Sequence, residues 1–552
     1  MTTIRDRWFR RSWSRIAVYV VSALGFLVAG LAWAVSSPPG GSPDESFHLA
    51  SVWCPGGADT RCTITRFKPD GAPVVVVPQA VAESSGCWAA NPEITAVCLD
   101  KFSLDVSEET SSLNNGLYPG GYYYFMHLFV SDNLTRSVWF MRGMNVLFTV
   151  GIFGALLWLL PGGSRRSLVY TAAAALVPQS IYFLASVNPT AWGILGVTTT
   201  WLGLHGAYVG ETKARRFALA GIGVLGAIMA AVARSDSAAM TVVAMAAVVV
   251  FHWDETRRIS QWRRHRVRLA SCLIVVVVGA IGFFSGSQRG ALEGFTAPLE
   301  GRNKSWILIH NIAYLPQLLT GVWQAPLGWL DTPLTPLTVT SAVVVAFGMI
   351  FWGIRRSGPA KNLALAGVGL MIIGLPLWVL QQGLYVVGEG MQPRYLAPLV
   401  IVFVGIALTN PDGTGSSRLS LTQTVVCYGL LVVAHSLALH SLMRRVVTGI
   451  DVDRFNLDIG VEWWPAGLPS PMATWALGSF AFALFLLVLF AVRSAEVAPD
   501  SEVGLPLGNK EISRESAENE LPPRAIHEAG AVDTDDRITT AAAGILAARG
   551  QP

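Results

Sequence analysis

Residues 5–36 read RDRWFRRSWSRIAVYVVSALGFLVAGLAWAVS. Five arginines lead into an uncharged run, 16–36, and about 20 apolar residues are enough to cross the core of a bilayer. A secretory signal peptide also starts basic. Here the apolar stretch is longer than a signal's and no A-x-A-type cleavage site follows, so the run reads as a retained anchor. The fold class follows from meeting the same kind of run repeatedly.

Eleven further blocks qualify: 138–160, 168–186, 190–210, 217–233, 237–253, 269–285, 334–354, 364–386, 395–409, 422–443 and 472–492. A segment at 306–330 is apolar too, but Pro316 and Pro326 interrupt it. Charged residues make up only 14% of the chain, against about 25% in ordinary soluble proteins. This excludes a disordered chain and a disulfide miniprotein, and it argues against a soluble enzyme. The net charge of +4 is too small to point to nucleic acid.

Lys and Arg orient the spans, because loops retained in the cytoplasm carry the excess of them. After the N-terminus, every second loop is basic: Arg165-Arg166, then Lys213, Arg215 and Arg216, then six arginines from Arg257 to Arg268, then Arg355, Arg356 and Lys361. Twelve spans make this parity close with both termini inside. The expectation is an all-α polytopic membrane protein of about 12 transmembrane helices, multi-pass in a cell membrane. Residues 1–15 form a basic cytoplasmic N-terminus and 16–492 the membrane domain. Residues 37–137 form a large first outside loop, and 286–333 and 444–471 two smaller ones. Residues 493–552, polar and acidic with Pro522-Pro523, bury too little apolar surface to order and are expected to be a disordered cytoplasmic tail.

Four of the six cysteines, Cys54, Cys62, Cys87 and Cys98, fall in the large outside loop. An even cluster on the oxidising side predicts two disulfides. Three pairings are open, and the spacings are not those of a zinc site.

Just beyond the first span stands Ser42-Pro43-Asp44-Glu45-Ser46-Phe47-His48. Ser-x-x-Glu is a capping box, with Pro43 at the favoured first helical position. The same cap would hold Asp44 at the membrane–water boundary, with His48 one turn on along one helix face. Two carboxylates and an imidazole there can act as general base or hold a divalent cation. Arg142, Arg234 and Arg394 sit at outer span ends. Each has a bland reading, such as a local pair of Arg234 with Asp236 or snorkelling of Arg394 to the headgroups. Converging on Asp44, they would form an anion site suited to phosphate. The run Leu117 to Tyr124, with Tyr122 and Tyr123, reads as an interfacial aromatic belt or as a wall for sugar or lipid. Ser186-Val187-Asn188-Pro189 reads as a helix stop. No phosphate-cradling glycine motif is present.

Taken in order, these pieces resemble the bacterial membrane family called domain of unknown function 2142, usually placed near the GT-C glycosyltransferases. The resemblance rests on P-D-E-x-x-H at Pro43–His48 and Tyr-Pro-x-x-Tyr-Tyr at Tyr118–Tyr123. It continues with Arg142 opening a span, Ser-x-Asn-Pro at Ser186–Pro189 and Arg-Tyr-x-x-Pro at Arg394–Pro398. It covers roughly residues 16–490. Thr190 departs from it, since an acidic residue is common there.

The resemblance implies a GT-C-like fold and inverting transfer of a sugar from a polyprenyl-phosphate donor. The acceptor would be an envelope glycan, lipid or protein outside the membrane. Asp44 would be the catalytic base, with Glu45 as second candidate. Arg142, Arg234 and Arg394 would hold the phosphate, with Tyr395, His48, Tyr122, Tyr123 and Asn188 around the substrate. No cofactor is required: a divalent cation on Asp44, Glu45 and His48 is one option, a metal-free site the other. The rival functions are a transporter or flippase of a lipid-linked glycan and a non-catalytic envelope-assembly subunit.

Overall fold

The computed structural model describes residues 4–495 apart from 56–61, 70, 177, 257–261, 288–300, 356 and 411–418. Most of the predicted tail therefore lies outside the described residues. Helix α1 (Ile4–Val35) contains the first apolar run. The loop after it leads to the short α2 (Glu45–Trp53). A small antiparallel sheet follows, with β2 (Pro73–Pro78) between β1 (Ile64–Phe67) and β3 (Ser107–Thr110). The chain is therefore mostly helical rather than all-α. The four consecutive valines of β2 carry the correction, because β-branched side chains suit a pleated, covered strand. The disulfides pair Cys54 with Cys62 and Cys87 with Cys98. They brace the loop on either side of β1 and β2.

Beyond the loop come α3 (Gly121–His127), α4 (Leu134–Leu159), α5 (Gly162–Ala175), α6 (Gln179–Leu184), α7 (Thr190–Val209), α8 (Lys213–Ala233), α9 (Ser235–Phe251) and α10 (Trp262–Ser285). The chain ends in α11 (Lys304–Gln324), α12 (Pro336–Ile354), α13 (Pro359–Gly383), α14 (Ala397–Leu408), α15 (Leu421–Val447) and α16 (Pro471–Ala495).

Among the described residues, eight helices are long and apolar enough to cross a membrane: α1, α4, α8, α10, α12, α13, α15 and α16. The protein is thus a multi-pass membrane protein. The count differs from twelve for local reasons. The block 168–186 is two short helices parted before Pro178, whose ring cannot continue a helix. Block 237–253 is the shorter apolar helix α9, and 395–409 is α14 behind a 3-10 turn at Pro393–Tyr395. Twelve residues of helix reach only about 18 Å. Block 190–210 is α7, long enough to cross but less apolar than the eight, with Thr, Trp and His along it, and sheathed by other helices along nearly its whole length. Conversely, the broken segment 306–330 begins as one continuous helix, α11, which accommodates Pro316.

Helix α7 sits against α8 backbone to backbone. A Cβ on Gly196 would come within 2.5 Å of the Gly226 carbonyl oxygen, and one on Gly203 within 2.4 Å of the Gly223 nitrogen. Small residues let membrane helices approach this closely. The arrangement brings the α8–α9 junction, the start of α7 and the first loop to one end of the bundle, where the charged motifs gather. The histidines within helices have partners there or deeper: Ser164 and His252 for His205, Trp33 for His435, the Phe455 carbonyl for His440.

Candidate functional site

The loop from Ser36 to Pro43 is buried throughout, although it is irregular chain. Buried backbone polar groups need partners, and side chains from several helices supply them. Arg142 of α4 enters from one side. Its Nη1 donates to the carbonyls of Ala34 (2.8 Å) and Ser37 (2.7 Å), and its Nη2 to that of Pro38 (2.7 Å). Tyr182 donates to the Gly41 carbonyl, Trp329 to Gly40 and Asn188 to Pro43. Gly40 has φ +75, and a Cβ there would strike the Ser84 carbonyl oxygen at 2.5 Å, so only glycine fits.

The remaining donors of Arg142 go to Glu45: Nε to Oε1 at 3.0 Å and Nη2 to Oε2 at 2.6 Å. Glu45 also accepts from the Val187 amide (2.7 Å) and the Ser42 amide (3.0 Å). Both side chains are buried. The expectation that Glu45 shares the base role, and that Arg142 binds phosphate, meets this geometry. All five guanidinium N–H donors and both carboxylate oxygens are already taken by protein. The capping box is also half made. Glu45 reaches back to the Ser42 amide, but Ser42 Oγ has no partner among the described residues. The helix begins two residues later than the box requires, with Asp44 as its N-cap.

Asp44 has φ 63 and ψ 5, left-handed backbone in a residue other than glycine. Such strain costs about 1–3 kcal/mol and persists where the surroundings impose it. Its carboxylate is 44% exposed and pairs with Nη2 of Arg394, which is 2% exposed. Arg394 stands in the 3-10 turn before α14, its guanidinium over the rings of Phe183 and Tyr395 at 5.2 Å each. Its Nε and Nη1 are buried without hydrogen-bond partners among the described residues. An unpaired buried donor on a charged group is costly.

Arg234, between α8 and α9, lies sandwiched between Tyr118 (5.2 Å) and Tyr395 (5.0 Å). It grips Asp236 in a fork at 2.9 and 2.6 Å. The local pair expected from sequence is present, yet it sits beside Arg394 because Tyr395 touches both guanidiniums. Thr190, where the sequence departs from the pattern, accepts weakly from Arg234 Nη1 at 3.4 Å; Asp236 provides the carboxylate in this chain.

His48 is buried on α2, its Nδ1 2.9 Å from the Tyr123 hydroxyl. Burial first, then the charges of Arg234 and Arg394, hold it well below the ordinary histidine value. Burial likewise raises the Tyr118 and Tyr123 hydroxyls. Tyr122 is fully buried against Trp192 and Tyr123. Asn188 pins Pro43 rather than facing open space. Asp44, Glu45 and His48 thus turn to three different partners. Among the described residues no three His, Cys, Asp or Glu side chains gather as a metal site.

A cavity of about 440 Å³ opens beside Arg234. At the helix ends it is lined by Tyr118, Arg234, Asp236, Glu389 and Tyr395. Deeper along α9 and α13 the lining is Met240, Val243, Met371, Leu375 and Val379. A polar mouth thus leads to an apolar channel.

Two contributors had no sequence signal. Asn145, inside α4, donates to the Ser186 carbonyl and accepts from Trp192. Arg445, in the last turn of α15, pairs with Asp331 at 2.8 Å and donates to the carbonyls of Trp88 and Ile94. It joins the disulfide loop to the segment after α11. The apolar pattern ends at residue 443, and nothing near it announces partners more than a hundred residues away.

A family model described as a predicted membrane protein, DUF2142, matches residues 27–404. No curated protein and no solved structure matches the chain.

Proposed function

The chain belongs to this family of predicted membrane proteins, DUF2142, and we propose that it is an integral membrane glycosyltransferase of GT-C type. It would move a sugar from a polyprenyl-phosphate donor to an envelope acceptor at the outer face of the bacterial plasma membrane. The observation that carries this reading is Arg394. A buried guanidinium with two unpartnered N–H groups, paired with a half-exposed carboxylate and packed on Tyr395, which lines an amphipathic cavity, asks for an anion with an apolar tail.

In this reading Asp44 takes the proton of the acceptor hydroxyl while that oxygen attacks the anomeric carbon. The bond from that carbon to the phosphate oxygen breaks on the opposite face, and its electron pair leaves with the polyprenyl phosphate. Arg394 stabilises the departing anion. Arg234, already neutralised by Asp236, adds an aromatic-flanked wall rather than a second full charge. Arg142 and Glu45 hold the backbone that carries Asp44. The proposed frame is twelve crossings with both termini inside, in which α5 with α6, α7, α9 and α14 pass through the bundle beside the eight long apolar helices.

Purified protein incubated with a panel of polyprenyl-phosphate sugars should release the carrier. Asp44→Asn should abolish turnover and keep lipid-phosphate binding, whereas Arg394→Gln should weaken binding. Translocation of labelled lipid in proteoliposomes with no carrier release would replace this reading with a flippase. Indifference of both release and translocation to either change would favour an assembly subunit.

A further inference from the structure

We propose that α11 lies along the membrane surface at the disulfide-bearing end of the bundle, with Trp306, Ile309, Ile312 and Tyr314 seated in lipid. From Ser305 to Gln324 the helix carries no charged residue. Its buried ridge, Ile307, Asn311, Leu315, Leu318 and Val322, advances in steps of three and four. The opposite side is apolar as well: Trp306, Ile309, Ile312 and Tyr314 are each more than half exposed. A surface helix facing water would be polar there.

Crossing the membrane is the obvious alternative, since 21 residues reach about 31 Å. The contacts oppose it. Just before the helix, Arg302 pairs with Glu389. The Lys304 carbonyl accepts from Gln381. Asn311 donates to the Tyr385 carbonyl and accepts from the Val387 amide. Near its other end, Gly321 lies against Pro393. All these partners lie between Gln381, near the end of α13, and Pro393, in the turn before α14. A crossing helix would leave that stretch after a turn or two, whereas α11 keeps to it as far as Gly321, and Trp323 at its end turns to the Ala174 carbonyl and Phe347.

Lipid is the occupant the neighbours indicate. Helix α11 packs on α12 and α13, both membrane-crossing candidates with exposed apolar side chains such as Val344 and Leu370. The exposed face of α11 continues that apolar surface. Trp306, His310 and Tyr314 stack in a row, with ring centroids 4.8 and 4.3 Å apart. Trp and Tyr are the residues the headgroup level selects. Tyr385 and Glu389, which α11 and the residue pair before it hold in place, also line the cavity, so the seating of this helix on lipid sets the cavity's mouth. The inference is independent of the transfer reaction.

The test uses the full chain in nanodiscs, with Cys272 and Cys427 changed to Ser and a spin label on Ile309→Cys or Ile312→Cys. Collisions with oxygen should exceed those with a water-soluble nickel chelate several-fold, at a depth of about 5–10 Å. Higher nickel accessibility overturns the proposal. Exclusion of both probes also overturns it, because protein, such as a second copy, would then cover the face. Should the labelled variants fail to fold, brominated lipid provides a milder route. The wild-type protein should lose a component of quenchable tryptophan fluorescence on Trp306→Phe, and an unchanged quenchable component counts against the proposal.

Discussion

Glu45 and Arg142 form the ion pair on which the geometry around Asp44 depends. Each is buried, and two hydrogen bonds join the guanidinium to the carboxylate. Removing one partner of a buried pair costs about 3–5 kcal/mol. Glu45→Ala and Arg142→Ala should both lower the thermal unfolding temperature in detergent sharply. Asp44 behaves differently, since its carboxylate is half exposed and its backbone strained. Asp44→Gly relieves the left-handed conformation, worth about 1 kcal/mol, but strips the buried Arg394 of its carboxylate, so the unfolding temperature should fall, by less than for Glu45→Ala, and any activity should be lost. His48 adds a pH dependence. Above about pH 6.5 it is neutral in both folded and unfolded chains, and its contribution is complete. As the pH falls below that value the unfolded chain takes up a proton that the folded one resists. Stability then declines, by at most about 1.4 kcal/mol per pH unit. Unfolding temperatures measured from pH 7.5 to 5 should show a shallower decline for His48→Gln. The motif P-D-E-x-x-H was legible as a charged cluster; that Asp44 and Glu45 point to different arginines was not, because both arginines are remote in sequence.

At the scale of the element, the first loop is held by its two disulfides and by Arg445. The bridges close segments with sequence separations of 8 and 11, and loops of that size contribute about 2–3 kcal/mol each. Cys87→Ser with Cys98→Ser should lower the unfolding temperature and should also loosen the Trp88 and Ile94 carbonyls that Arg445 binds. Amide exchange in that segment would report it. Two disulfides were readable from an even cluster of cysteines in one loop, yet their pairing needed the fold. The α7–α8 contact makes a second element-level prediction. Gly226→Val would drive a side chain into the Gly196 carbonyl oxygen, 2.6 Å from where a Cβ would stand. The helices must separate, at a cost of about 1–3 kcal/mol or more. Gly221→Val, with open space around it, should cost far less in the same unfolding assay.

For the whole molecule, the alternation of basic loops predicts which side each end faces. A single cysteine introduced near residue 262, in a background without Cys272 and Cys427, should react with an impermeant maleimide only after the membrane is opened. Labelling of intact cells there would reverse the orientation. The apolar blocks were legible as helices because burying backbone polar groups away from water demands helical pairing. Their number as spans was less so. A helix sheathed by other helices, such as α7, tolerates Thr, Trp and His that one facing lipid would not, so it falls below the apolarity of the eight. Nor does hydropathy separate a helix lying along one end of the bundle, such as α11, from a broken loop.

The sequence by itself determined that this is a multi-pass helical membrane protein with a large loop carrying two disulfides. It also singled out Asp44, Arg142, Arg234 and Arg394 as charges worth locating. Those conclusions rest on local quantities: run length, charge sign and residue type. Only the tertiary structure decided which arginine meets which carboxylate. Arg142 proved committed to Glu45 and a buried loop, Arg234 to Asp236, and Arg394 to Asp44 with donors to spare. The physical reason is that a guanidinium has five donors and no sequence-local rule for spending them. Whether any is left for a ligand depends on carbonyls and carboxylates brought from tens to hundreds of residues away, and only packing sets those distances.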